Sequence, residues 1–152
     1  MDQDLRRLIF ETFSEVFETM FFTFLEPLEE TPGKEELGCG KFIEATIGYS
    51  GGYNGNFLFY FPWGLGKNIT VNFLGVDEHE VQDRQIADTA AETANMAIGS
   101  LLGKLDPGGT ASLAIPQTRV LDNFSPEALL GASGICMFNT EFGILWVSGT
   151  HA

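Results

Sequence analysis

Hydrophobic residues recur at helical spacing in two long stretches of the chain. The first, residues 2–26, carries apolar side chains at three- and four-residue intervals and stops before Pro27, which predicts an amphipathic helix. The second begins after Asp77, which with Glu80 resembles a capping box, and runs to about Leu105. Its apolar stripe consists of Ile86, Ala90, Thr93, Ala97, Leu101 and Leu105. The pattern therefore predicts two long helices, each with one face in the core.

Short runs rich in β-branched and aromatic residues follow each helix and predict strands. The runs 42–48 and 56–61 are joined around Asn54-Gly55, a pair typical of tight hairpin turns. The later runs are 111–115, 118–121, 134–138 and 142–147, of which the last two form a hairpin through residues 139–141. Residues 65–74 predict a short helix, although the Ile-Thr-Val sequence within them is equally compatible with a strand. We expect one α+β domain over residues 1–152, built from duplicated helix-plus-hairpin halves, with two long helices packed on a mostly antiparallel sheet.

The outward faces of the two predicted helices share one spacing of polar residues. About half a turn from its apolar stripe, the second helix carries Asp88, Glu92, Asn95 and Gly99. On the first helix, Glu11, Glu15 and Glu18 have the same spacing as Asp88, Glu92 and Asn95. We interpret this as a degenerate internal repeat in which two helices have equivalent outward faces.

Glu92 and Asn95 form the strongest candidate site. A surface helix commonly carries both residue types, so an ordinary solvated face is the alternative explanation. Asn is a poor residue in the middle of a helix, however, because its side chain competes for backbone hydrogen bonds. The neighbours Ala91, Ala94 and Gly99 are small and leave the two polar groups accessible. The pattern favours a surface that another protein contacts.

Composition narrows the class of partner. With 8 Lys and Arg against 21 Asp and Glu, the net charge of −13 argues against binding to nucleic acid or to anionic membranes. No stretch approaches the length of a membrane span, and the start lacks a signal peptide's basic flank and apolar run, so we expect a cytoplasmic protein. Cys39 and Cys136 lack metal-ligand spacing and predict free thiols. Glu92 with Asn95 offers too few donors for a tight metal site, so no metal is expected in this chain.

The motif Asp88-x-x-x-Glu92-x-x-Asn95-Met96, followed about twenty residues later by Pro116, resembles the signature of the CheC/CheX/FliY family of bacterial chemotaxis phosphatases, and CheX most of all. The glycine-rich stretch 48–59 also resembles the CheX hairpin. The resemblance implies that the substrate is a phosphorylated CheY-like receiver domain, whose aspartyl phosphate is hydrolysed. It implies that Asn95 positions the attacking water and that Glu92 docks on the receiver's active-site Lys, with Asp88 and Gly99 at the edge of the contact.

The same resemblance implies a homodimer, with Mg²⁺ held by the receiver and no cofactor in this chain. Because Glu18 stands where a second active Asn would lie, one active site per chain is expected. Two alternatives stay open. The first is a non-catalytic binding or scaffold module of the same fold family, recognising a response regulator or a flagellar switch component. The second is a small-molecule-binding domain that uses the glycine-rich hairpin, although the hairpin lacks the Lys-Ser/Thr ending of a phosphate-binding loop.

Overall fold

The computed structural model describes residues 2–52, 54–132 and 134–151, with the backbone alone at residues 150 and 151, so Tyr53 of the glycine-rich hairpin lies outside the described residues. The helices are α1 (Gln3–Phe21), α2 (Trp63–Leu74) and α3 (Asp83–Leu105). The strands are β1 (Glu26–Pro27), β2 (Gly40–Ser50), β3 (Gly55–Pro62), β4 (Ser112–Leu113), β5 (Gln117–Phe124), β6 (Ile135–Thr140) and β7 (Gly143–His151). The predicted α2 helix and both predicted hairpins are therefore confirmed.

The seven strands form one sheet in which every pair is antiparallel. Their order is β1-β6-β7-β3-β2-β4, and β5 pairs with β2 on the same side as β4. With β5 as the neighbour of β2, the order is β1-β6-β7-β3-β2-β5. Exchanging β1 with β5, β2 with β6 and β3 with β7 gives this order in reverse, as an approximate two-fold axis through the β3–β7 pair requires. The predicted α+β fold with duplicated halves on an antiparallel sheet is confirmed.

The main core lies between the helices and one face of the sheet. Phe13 of α1 is fully buried, and its ring centroid lies 5.5 Å from that of Phe59 on β3 and 6.0 Å from that of Phe138 on β6. One side chain of α1 thus contacts both hairpins. Fully burying an aromatic side chain of this size contributes about 2–3 kcal/mol, so contacts of this kind fix α1 on the sheet.

The opposite face of the sheet is also apolar and is covered by non-helical chain. Trp146 is fully buried in a second cluster, in which Leu28, Leu37 and Leu129 come from loops and single turns. Burial on both faces explains why residues 57–61, Phe-Leu-Phe-Tyr-Phe, form an uninterrupted apolar run instead of alternating with polar residues.

The first helix ends earlier than its pattern predicts. Phe22 adopts the left-handed conformation, with φ of 51°, and the Thr23 N–H donates to the Phe17 carbonyl at 3.0 Å, which closes the helix end. The prediction that the helix extends to residue 26 is therefore wrong. Met20 and Phe24, two of the apolar residues whose spacing predicted the first helix and its buried side, are exposed by 41% and 70%.

The third helix begins later than predicted. Its capping box uses Gln82 and Gln85, and the Gln82 N–H donates to Gln85 Oε1 at 2.9 Å. Of the predicted capping pair, Asp77 precedes a separate 3₁₀ turn, Glu78–Glu80, without making a side-chain cap bond, and Glu80 is the last residue of that turn. The capping prediction was wrong because an Asp with a Glu three residues later fits a single turn as well as the start of a long helix.

The β2–β3 hairpin turns at a different glycine from the one expected. Gly51 has φ of 122°, and its N–H donates to Asn54 Oδ1 at 3.3 Å. A Cβ at Gly51 would collide with the carbonyl oxygen of Thr110, so only glycine fits there. Gly55, which was predicted to lie in the turn, is already the first residue of β3.

Two further expectations concern thiols and membranes. Among the described residues, neither Cys39 nor Cys136 forms a disulfide, and the first is exposed whereas the second is buried. Among the described residues, no helix combines the length and the apolar character needed to cross a membrane.

Candidate functional site

The outward side of α3 presents the three polar residues of the motif. Asp88 and Glu92 are exposed and Asn95 is half-buried. The opposite side is fully buried and includes Ala90, Ala97 and Leu101. The predicted orientation of α3 is confirmed, with two differences: Asn95 is less exposed than expected, and Leu105 lies 39% exposed where the helix ends.

The side chains of Glu92 and Asn95 have no partner among the described residues. Neither makes a hydrogen bond or an ion pair within this part of the chain. In particular, the Asn95 side chain does not bond back to the backbone of its own helix, as Asn side chains within helices often do. Its carboxamide retains both donors and its acceptor for a water molecule or a partner.

The flanking residues of the motif have contacts of their own. Asp88 Oδ2 lies 4.0 Å from Arg84 Nε, an exposed i,i+4 pair of the kind that contributes little to stability. A Cβ at Gly99 would lie 3.6 Å from Leu113 Cδ1, so this glycine faces the segment that leads into β5. That is an ordinary van der Waals distance, so packing within the chain does not require glycine at this position, and the role of Gly99 in partner binding stays a prediction.

The internal repeat extends to the buried faces of the two helices. The shift along the sequence that takes Glu15 to Glu92 also superposes buried positions of α1 on buried positions of α3. These pairs are Ile9 with Ile86, Thr12 with Thr89, Phe13 with Ala90, Val16 with Thr93, Phe17 with Ala94 and Phe21 with Ile98. Glu18 therefore occupies the position on α1 that Asn95 occupies on α3.

The two related carboxylates differ in their electrostatic surroundings. Glu15 Oε2 lies 3.6 Å from Lys104 Nζ of α3. Because α1 ends at Phe21, it does not reach the position that would correspond to Lys104, and Glu92 has no such cation beside it among the described residues. The charge of Glu92 is available to a partner, whereas that of Glu15 is partly compensated within the chain.

A groove of about 380 Å³ runs along α3 beside the motif. One wall is polar and consists of α3 residues, namely Gln85, Asp88, Thr89 and Glu92. The other wall consists of Phe73 and Leu74 from the last turn of α2. The sequence analysis missed these two residues, because large apolar residues near the end of a short helix are usually core residues.

A second groove of about 420 Å³ lies at the glycine-rich hairpin. It is open to solvent and lined by Gly48, Tyr49, Ser50, Gly55, Asn56, Ser112, Leu113 and Ala114. Small residues and backbone predominate in this lining. It lacks the enclosed apolar volume that a small-molecule site normally provides.

One group of possible metal ligands occurs in the described part of the chain. Donor atoms of Asp77, His79 and Glu80 lie within 4.8 Å of one another, and all three residues are exposed. Exposed acidic groups gather in this way without an ion, so the cluster does not by itself indicate a metal centre. Neither Glu92 nor Asn95 belongs to it.

Comparison with known proteins decides the family. The sequence profile for "Chemotaxis phosphatase CheX" matches residues 43–138, which is more than half of the chain. The chain belongs to the CheX family. This match contains the whole of α3 and therefore Glu92 and Asn95, whereas α1 with Glu15 and Glu18 lies outside it. No curated protein matches the sequence significantly.

Solved CheX structures share the fold of this CheX-family chain over nearly its full length. CheX from Desulfovibrio desulfuricans is 19% identical, with a TM-score of 0.70, covering 98% of this chain and 99% of the other. CheX from Vibrio vulnificus is 20% identical, with a TM-score of 0.73 and coverage of 98% and 97%. A CheX-CheY-BeF₃-Mg²⁺ complex from Borrelia burgdorferi is 16% identical, with a TM-score of 0.64 and coverage of 98% of both chains.

Proposed function

We propose that this CheX-family chain is a phosphatase that hydrolyses the aspartyl phosphate of a CheY-like receiver domain. The observation that supports this best is the outward face of α3, where a carboxylate and a carboxamide lie one turn apart within the family match, neither with a side-chain partner in the described part of the chain. The Borrelia burgdorferi neighbour was solved together with CheY, BeF₃ and Mg²⁺, which makes a receiver of this type the first partner to test.

Asn95 is the water-positioning residue of the proposal. Phosphoryl transfer is accelerated mainly by positioning and by electrostatic stabilisation, so the enzyme needs to supply little covalent chemistry. A carboxamide can both donate to and accept from a water molecule, and because it is neutral it does not repel the phosphoryl group as a carboxylate would. In this proposal the receiver provides the Mg²⁺ and a Lys, and the chain adds an ordered water in line with the phosphorus.

Glu92 is the docking residue of the proposal. Its carboxylate pairs with the receiver's active-site Lys in a charge-assisted contact that aligns α3 with the phosphoryl group. Since Glu92 has no ion pair among the described residues, forming this contact breaks none. Asp88 and Gly99 lie one turn to either side of Glu92 and Asn95 and form the edge of the contact.

The test is the rate of phosphate loss from phosphorylated receiver domains in Mg²⁺, measured with and without this protein across a panel of CheY-type receivers. We expect acceleration for at least one receiver. Binding without acceleration, measured on the same receivers in their beryllofluoride form, would instead support the non-catalytic scaffold.

The proposal also includes a homodimer, taken from the family resemblance, and a cytoplasmic location, expected from the sequence. Light scattering of the purified protein tests the first, and fractionation of cells that express it tests the second. A mass equal to one chain at micromolar concentration would contradict the homodimer.

A further inference from the structure

The groove beside α3 combines two surfaces of opposite character. Asp88 and Glu92 lie on the polar wall, and Phe73 and Leu74, exposed by 38% and 42%, form the apolar wall. Because Glu92 itself lines the groove, a partner bound to Glu92 lies next to the apolar wall. The groove is therefore continuous with the surface that the proposed function assigns to the receiver.

The apolar wall is held in place before any partner arrives. The Phe73 ring centroid lies 5.4 Å from that of Phe21, which is fully buried at the end of α1. Asn72 Nδ2 donates to the Phe21 carbonyl at 2.7 Å, and Asn68 Nδ2 donates to Thr23 Oγ1 at 3.3 Å. These contacts fix the last turns of α2 on the end of α1. A wall that is already ordered loses little side-chain entropy when a partner binds.

The end of α2 explains why both side chains remain accessible. Gly75, with φ of 67°, follows Leu74 and ends the helix through a bond from its N–H to the Val71 carbonyl at 2.9 Å. No further helical turn therefore covers Phe73 and Leu74. The two apolar residues are left beside the carboxylates.

Charge decides which occupant suits the groove. In a symmetric contact between two copies of this chain through the groove, Asp88 and Glu92 of one copy would approach those of the other, and each chain carries a net charge of −13. A partner that presents a cation next to an apolar side chain complements both walls, the cation meeting the carboxylates and the apolar side chain meeting Phe73 and Leu74. In the proposed function, the receiver's active-site Lys supplies the cation that lies against Asp88 and Glu92.

We propose that Phe73 and Leu74 are docking and specificity residues, which bind an apolar side chain that the receiver presents next to its active-site Lys. The inference rests on the proposed function and extends it from α3 to α2. Receivers with a polar or acidic residue at that position would be poor substrates, because the apolar wall would then be covered by a group that loses its hydration.

The experiment compares Phe73→Ser and Leu74→Ser with wild type. We expect KM for the phosphorylated receiver, and Kd for its beryllofluoride form, to rise about ten-fold in each variant, because apolar contact area is lost from the complex. We expect kcat to stay within about two-fold, because neither residue touches the reacting atoms. Phe73→Leu and Leu74→Met should restore most of the affinity.

The matched control is Phe142→Ser. Phe142 is exposed by 41%, similar to Phe73, but it lies at the opposite end of α2, where a Cβ added to Gly64 would be 4.0 Å from its side chain. Its KM and Kd should equal those of wild type. The Phe73 ring packs on Phe21, so Phe73→Ser is the variant more exposed to a loss of folding. Leu74→Ser tests the same wall without removing that contact.

The possible results separate the inference from the proposed function. Unchanged KM and Kd in both folded Ser variants, with normal phosphatase activity, would overturn the role of Phe73 and Leu74 alone. If wild type binds receivers but releases no phosphate, the phosphatase proposal fails, and the Kd values still decide the docking role. If wild type binds none of the receivers in the panel, both proposals are refuted.

Discussion

Replacing Asn95 with Ala removes the proposed water-positioning group and little else. In the described part of the chain, Asn95 makes no side-chain hydrogen bond, so the substitution breaks none. Ala is also the better helix former, by about 0.5 kcal/mol in the middle of a helix. The free energy of unfolding should therefore stay the same or rise slightly, and any loss of activity cannot be attributed to unfolding.

The expected loss follows from the single contact that Asn95 supplies. Removing one hydrogen-bond partner that acts in the transition state lowers kcat by about 10²-fold, or about 2.7 kcal/mol. Glu92 stays in place, so KM should change by less than about three-fold. Asn95→Asp should lose at least as much activity as Asn95→Ala, because a carboxylate beside the phosphoryl group repels it.

The assay is phosphate release from one phosphorylated receiver at several receiver concentrations, so that kcat and KM are measured separately. Glu18→Ala is the matched control, because Glu18 occupies the same position on the related helix α1. Full turnover in Asn95→Ala would refute the catalytic assignment and favour the scaffold. Equal losses in Asn95→Ala and Glu18→Ala would show that the repeat carries two working faces.

Three further predictions concern the other side chains. Glu92→Ala should raise KM about 30-fold and make the remaining activity less sensitive to salt, because the lost contact is an interfacial ion pair. A KM equal to that of wild type would contradict the docking role. Glu18→Ala should leave kcat and KM unchanged, since its carboxylate cannot serve as a neutral water-positioning group, and a large loss in this variant together with full turnover in Asn95→Ala would show that the inactive face is on α3. For Tyr60, burial above all, then the charge of Glu44 and a hydrogen bond to it, raises the pKa to about 12, which Arg119 partly opposes. Because the pKa of Tyr60 is higher in the folded state than in the unfolded state, its contribution to stability is present below pH 10 and is lost as the pH rises towards 12. The free energy of unfolding of Tyr60→Phe should therefore vary less than that of wild type between pH 10 and pH 12. Parallel curves for the two proteins would disprove the assignment.

The sequence was sufficient for the parts of the structure that depend on local periodicity. The spacing of Ile86, Ala90 and Ala97 predicted which side of α3 is buried, because a helix repeats every 3.6 residues whatever it packs against. The same spacing predicted that Glu92 faces outward. The two hairpins, β2 with β3 and β6 with β7, were predicted correctly, since in each a tight turn joins two apolar runs.

Helix ends and turns were predicted less well, since several local sequences can end a helix or form a turn. Phe22 in the left-handed conformation has no sequence signal, because bulky residues rarely adopt it. Gly51 was passed over for Asn54-Gly55 because its conformation is imposed by Thr110, a residue distant in the chain.

Only the tertiary structure decided how the two repeats differ. The sequence shows the same spacing around Glu15 and Glu92, but the contact between Glu15 and Lys104 joins two helices that are far apart in sequence. The groove likewise exists because the end of α2 packs against α1 and thereby lies beside α3. Periodicity along one helix determines which way a side chain points, whereas the neighbours it meets depend on contacts between elements, which no local pattern encodes.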